Sequence, residues 1–201
     1  MEIKFDVWPF ILALAAVINA LGIIRLLNTF AEYLRKRKSL NIQHYSVYVM
    51  LVIYQLFIHL LFWWSAMGLR AAGDIHFNFL MYLYLLTGPT ILYLGTSLIL
   101  PDLEEESRDM RTVYYGFHKA YYTILAMFMF WGIFVWPIFG YSFAPNAPLL
   151  AATLLIALVL RATVNPKIHF VLMVTNLSIY ALTIAVYAMR TGGVTRIMIQ
   201  G

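Results

Sequence analysis

His59 stands within Ser39–Leu69, a stretch of 31 residues without a formal charge, and apart from tyrosines it is the only titratable group well inside an apolar run. An imidazole so placed can relay a proton, or bind a metal or a haem iron, because its ordinary pKa lies close to neutrality. The competing use is structural, with the ring bonded to neighbouring carbonyls. Gln55 precedes His59 by one helical turn, and Tyr48 falls on the same face. Further along, His169, Met173, Asn176, Tyr180, Thr183 and Tyr187 follow four-and-three spacing and form one stripe. An amide or imidazole turned toward hydrocarbon is costly, so both stripes are expected to face inward. They serve either as hydrogen-bonding glue or as the walls of a polar pathway between the second and sixth helices.

Other residues offer weaker chemistry. His44, His118 and His169 begin alternate apolar segments, which sets them at one depth, where three imidazoles can ligate zinc if the helices converge. Arg25 lies just inside the end of the first apolar run. It is free to snorkel, to pair with an acidic loop or to hold an anionic ligand. That loop, Asp102–Glu106 with Asp109, puts five carboxylates beside Arg108 and Arg111, a pattern open to divalent cations or a basic partner. Gly88-Pro89 interrupts the third apolar run. Proline removes a backbone donor, and the freed carbonyl must find Thr87, Thr90 or a neighbouring helix. Broken helices of this kind build substrate sites in transporters, although kinks are also ordinary in membrane helices.

Much chemistry is excluded outright. There is no cysteine, hence no disulfide, thiolate metal site, iron–sulfur cluster or cysteine nucleophile. No carboxylate falls inside an apolar run, which removes the usual proton-coupling group of carriers. Phosphate-binding loops, dinucleotide fingerprints, nucleophile elbows and zinc-protease motifs are all missing. The net charge of +5 comes from residues flanking apolar segments, so it points to headgroups rather than nucleic acid.

The elements that must position these residues follow from composition. The chain is 63% hydrophobic and 11% charged, with a mean hydropathy of +0.80. A soluble domain is about half apolar and about a quarter charged, so lipid is the expected surroundings. Crossing a bilayer core takes about 20 helical residues. Four uncharged stretches each fit one crossing, whereas Ala120–Leu160 is 41 residues long and contains the breakers Gly140, Pro145 and Pro148. It splits in two. The expected fold is therefore all-α, one membrane domain over 1–201, with spans near 7–30, 44–68, 76–100, 117–141, 147–163 and 166–189. Barrel strands are short and alternating, unlike these uniformly apolar runs.

Arg35, Lys36, Arg37 and Lys38 follow the first span, which assigns that loop to the cytoplasm. Alternation then brings 101–116 and 161–167 inside and leaves both termini outside. The start of the chain has no basic leader, so it does not read as a cleaved signal. Ala16 with Ala20, and Ala181 with Ala185, have the spacing of close helix contacts, and the five tryptophans are expected mainly as interfacial anchors.

Arg25-Leu-Leu, His59 ahead of Phe62-Trp-Trp64, Gly88-Pro89 followed by Pro101, and Tyr114-Tyr115 before the fourth span together resemble a family of small bacterial multi-pass membrane proteins. The resemblance covers residues 20–125 and implies a location in the plasma (inner) membrane but no activity. The leading expectation is a non-enzymatic accessory or interaction subunit, docking a protein partner through loops 31–43 and 101–116. A transporter or channel built on the Gly-Pro break and the polar faces of helices 2 and 6 is the alternative, one that would dimerise to enclose a pathway. A haem- or metal-binding redox protein is the third. Composition identifies no cofactor.

Overall fold

A computed structural model describes residues 8–36, 38, 42–70, 78–100 and 109–188. The acidic run Asp102–Glu106, Arg37, Arg108 and the tail 191–201 lie outside the described residues. The rest forms six α-helices: α1 (Trp8–Lys36), α2 (Ser46–Arg70), α3 (Phe79–Ile99), α4 (Met110–Ile138), α5 (Ala147–Ala162) and α6 (Pro166–Thr183). A five-residue π-helical segment, Ile184–Ala188, prolongs α6. No strand occurs among the described residues, and five helices are long and apolar enough to cross a membrane. The exception is α5, whose 16 residues reach about 24 Å.

The helix ends follow from local chemistry. Asn78 caps α3 by accepting from the Met81 N–H at 2.9 Å, and Asn165 caps α6 through the Lys167 N–H at 3.0 Å. Proline occupies the first turn of both α5 and α6, where its missing N–H costs nothing. Gly140, with φ of 84°, closes α4: its N–H reaches Pro137 O at 3.0 Å, and the Tyr141 N–H reaches Trp136 O at 3.1 Å.

Two boundaries differ from expectation. The first helix continues to Lys36 rather than stopping near residue 30, since Glu32 and Lys36 pair one turn apart at 2.6 Å and basic residues suit the carboxyl end. The fourth begins at Met110 rather than 117. Asp109 supplies the cap, accepting from the Arg111 N–H at 2.9 Å and the Thr112 hydroxyl at 2.8 Å. Tyr114 and Tyr115 are therefore inside the helix, and the supposed loop 101–116 loses its residues from Met110 onward.

The heaviest packing is on α4, against α5 and α3; α3 joins α1 to α4, α5 lies between α4 and α6, and α2 touches α1, α3, α4 and α6. The buried stripe of α1 is Ile11, Ala15, Asn19, Gly22 and Leu26. Ala20, Ala181 and Ala185 are exposed, so the expected small-residue contacts are not made among the described residues. Three of the five tryptophans, Trp8, Trp131 and Trp136, are buried against protein. Trp131 shows why: it lies over Gly88, where a β-carbon would come within 2.5 Å of the indole. Its N–H donates to Tyr84 O at 2.9 Å, and the Tyr84 hydroxyl donates back to Trp131 O at 2.7 Å. Outward positions are conversely apolar, Leu80 and Phe79 being 74% and 70% exposed, as lipid contact requires.

Candidate functional site

Three groups of residues deserve consideration as a site, and the first contains His59. The ring is fully buried between α1, α2 and α3. Its Nδ1 is 2.7 Å from Asn19 Oδ1, and its Nε2 is 2.8 Å from Thr96 Oγ1. The amide orientation in which Asn19 Nδ2 donates to His59 O, at 3.2 Å, leaves Oδ1 to accept from Nδ1–H. With the imidazole neutral, Nε2 accepts the Thr96 hydroxyl proton. Thr96 in turn accepts from Gln55 Nε2 at 3.1 Å, and Gln55 Oε1 accepts the Tyr121 hydroxyl at 2.8 Å. A second Gln55 contact runs from Nε2 to Leu92 O at 3.2 Å. The chain thus has one direction, from Tyr121 on α4 to Asn19 on α1. Gly22 makes room for it, because a β-carbon there would be 2.5 Å from His59 Cε1.

This arrangement corrects two expectations. Gln55 and His59 turn toward α1, α3 and α4 and not toward α6, because the side of α2 facing α6 is occupied by Tyr54, whose ring meets Tyr180 at 4.8 Å. Both ring nitrogens of His59 are engaged, so no lone pair is available for iron or another metal without dismantling the network. Proton relay is equally unsupported, since the amides of Asn19 and Gln55 flank the path and do not pass a proton on.

The second group occupies the beginning of α4. Tyr114 Oη lies 2.5 Å from His169 Nδ1 and 2.8 Å from Tyr122 Oη, while His169 Nε2 donates to Thr163 O at 2.9 Å. His118 donates from Nδ1 to Tyr115 O at 2.8 Å, leaving its buried Nε2 without a partner among the described residues. His118 and His169 are brought together, with ring centroids 5.7 Å apart. His44 is exposed and does not join them, and no group of three metal-binding side chains occurs among the described residues. The proposed three-histidine layer is therefore not assembled, because the segment carrying His44 precedes α2 instead of belonging to it. Next to this group, burial and the Tyr115 hydroxyl at 3.3 Å push the Tyr45 phenol well above its ordinary pKa, so it remains neutral.

Of the remaining candidates, the α6 stripe is realised: His169, Met173, Asn176 and Tyr180 are all buried. Asn176 is fully buried with neither amide atom paired, and Tyr54 Oη is likewise unpaired among the described residues. Arg25 is exposed and donates from Nη1 to Ser97 on α3 at 3.3 Å. Pro89 is buried, but α3 is helical through it, so no broken-helix site forms. Thr87 and Trp131 donate to Tyr84 O, and Thr90 donates to Leu86 O at 2.8 Å, so these bonds go to the carbonyls on either side of Leu85 O, the one that Pro89 frees.

The third group is a partly open cavity of ≈ 140 Å³ between α2, α4, α5 and α6. Its walls are Phe62, Trp64, Phe128, Trp131, Trp136 and Tyr180 with aliphatic neighbours, and its few polar groups include Ser65, Asn146 and Thr153. Thr183 and Tyr187 line one end, at the transition to the π-helical segment, where the Tyr187 hydroxyl donates to Pro145 O at 3.4 Å. Such π segments recur at functional sites.

Sequence reasoning overlooked Asn19, Gly22, Thr96, Tyr121 and the cavity. Asn19 was detectable as an amide in the middle of an apolar helix; the cavity had no linear signature. The whole is an α-helical protein of the membrane-spanning class. No protein-family model, curated protein or solved structure matches the chain, which leaves the geometry of these groups as the guide to function.

Proposed function

We propose that the chain is a multi-pass protein of the plasma membrane with six spans and both termini on the non-cytoplasmic side, and that it binds a small hydrophobic molecule without chemically transforming it. The sixth crossing is α5. The start of α6 packs on the start of α4 through the His169–Tyr114 contact, so α5 must return the chain from the far end of α4. The basic residues Arg35, Lys36, Arg111, Lys119, Arg161 and Lys167 then share one side, as cytoplasmic loops require.

The observation that carries the binding reading is the aromatic cavity. Ligand sites are concave and mostly apolar, with a few polar groups that fix orientation. An apolar cavity of about 150 Å³ holds a molecule the size of benzene, so the occupant here is a single ring or a short acyl segment. Titration with a brominated medium-chain fatty acid, followed by tryptophan quenching, tests this. Saturable quenching is expected for the wild type and for Gly132→Ala, because a β-carbon at Gly132 meets only Leu150 Cδ1 at 3.5 Å. Gly132 lines the cavity from α4, so Gly132→Leu, which plugs it, should abolish the quenching; undiminished quenching in that variant would refute the reading.

A second reading keeps the role of interaction subunit, favoured by one contact. The segments on either side of α2 and α3 meet at the inner end, where the Met110 N–H donates to Gln43 O at 3.3 Å and Gln43 bridges Asp109. The connections after α1 and before α4 would then offer one joint docking surface for a protein partner. Co-purification of a stoichiometric partner, lost on Met110→Pro, which removes the N–H given to Gln43 O at a first helical position that tolerates proline, would support it, and a solitary preparation would count against it.

A further inference from the structure

A separate groove lies on the outside of the bundle, between α3, α4 and α5. Its volume is ≈ 420 Å³, and it is lined by Ile91, Ala126, Met127, Phe130 and Leu158, with Thr123 and Arg161 at one end. Arg161 is the last-turn arginine of α5 and is exposed. Its Nε donates to Thr123 Oγ1 at 2.8 Å, which fixes the plane of the guanidinium. Both terminal nitrogens remain without a partner, and no carboxylate pairs with the group, among the described residues.

The guanidinium is thus open to an anion. Its planar fork matches two oxygens of a phosphate, and a guanidinium already oriented loses little freedom on binding one. Lys119, one turn before Thr123 on the same face of α4, is exposed and adds a second positive charge. From Thr123 the apolar floor continues past Ala126 and Met127 to Phe130, about 10 Å along the helix axis. One end therefore fits an anion and the remainder fits an alkyl chain.

We propose that this groove is a binding site for an anionic phospholipid of the cytoplasmic leaflet, with the phosphate on the Arg161 fork and an acyl chain along Ile91, Ala126, Met127, Phe130 and Leu158. The charge selects anionic over zwitterionic headgroups, because a choline or ethanolamine amine would be repelled by Lys119 and Arg161. Thr123 is a positioning residue: it holds the arginine through Nε.

The test uses purified full-length protein in a neutral detergent, titrated with phosphatidylglycerol or phosphatidylcholine of equal chain length, with binding followed by native mass spectrometry. Phosphatidylglycerol is expected to bind at least about ten-fold more tightly than phosphatidylcholine. Arg161→Gln should erase that preference. Arg161→Lys, which keeps the charge and loses the fork, should retain a few-fold preference, and Thr123→Val should weaken phosphatidylglycerol binding with no change for phosphatidylcholine. Inorganic phosphate at millimolar concentration is expected not to displace the lipid. Equal binding of the two lipids, an unaltered preference in Arg161→Gln, or full displacement by inorganic phosphate would each overturn the proposal. Should Arg161→Gln fail to fold, the Arg161→Lys and Thr123→Val titrations decide: wild-type affinities in both refute it.

Discussion

Gly22→Ala is the substitution whose effect can be worked most fully from the geometry. The new methyl would lie 2.5 Å from His59 Cε1 and 2.9 Å from Nε2, within the ring's own volume. The ring cannot step aside cheaply, since Asn19 and Thr96 hold both nitrogens. Overpacking of this kind costs about 1–3 kcal/mol, and losing the two hydrogen bonds adds about 0.6 kcal/mol each in a membrane interior. Alanine in a helix returns about 1 kcal/mol relative to glycine. The net expectation is a loss of about 1–3 kcal/mol, readable by unfolding in bicelles. His59→Ala removes the obstruction, so adding Gly22→Ala to it should cost less than about 0.5 kcal/mol, the scatter of non-interacting sites. A Gly22→Ala protein as stable as the wild type, or one that loses as much with His59→Ala as without it, would refute the account of His59 as the clasp between α1 and α2.

The same logic reaches three other places. Asn176→Leu should be neutral or stabilising in the same unfolding assay, because a buried amide with neither atom paired costs about 1–3 kcal/mol; a loss above 1 kcal/mol would mean that the amide has a partner. Gly88→Ala should shift the tryptophan emission and cost about 1–3 kcal/mol by displacing Trp131, whereas Gly95→Ala, whose new methyl meets Ile124 at 3.4 Å, should leave the spectrum unchanged. At Asp109, the Arg111 N–H and then the Thr112 hydroxyl hold the carboxyl below the usual carboxylate range. A lowered pKa gives stability that is present above the unfolded value and lost as pH falls through the folded one. Acid titration should therefore narrow the gap between wild type and Asp109→Ala below about pH 4, from about 1 kcal/mol near neutrality. Asp109→Asn, which caps without ionising, should lack that acid-dependent component, and a gap that stays constant from pH 7 to pH 3 contradicts the capping role.

How far the sequence announced all this varies with the kind of information. Apolar runs and breakers carry their meaning locally, so the turn at Gly140–Pro148 and the inward stripe of α6 were legible. The start of α4 was not, because Asp109 is one carboxylate among five and nothing local distinguishes the one that caps. Partners were harder still. Gln55 and His59 were recognisable as an inward pair, but which helices they address depends on how α2 is rotated, and Tyr54 decides that by taking the side toward α6. Trp131 was expected toward the outer end of its helix as an anchor; its seat over Gly88, on another helix, had no local signature. A cavity is a property of four helices at once and has no counterpart along the chain.

The brevity of α5 has a consequence for the surrounding bilayer. A helix of about 24 Å cannot match a hydrocarbon layer of about 30 Å. If it crosses as proposed, the lipid beside it must thin, at a cost of fractions of a kcal/mol for each ångström of mismatch. The neighbouring α4, with 29 residues, imposes no such demand. One flank of the molecule would thus pinch the membrane while the other leaves it at rest, and that asymmetry would favour thin, fluid patches over thick ones.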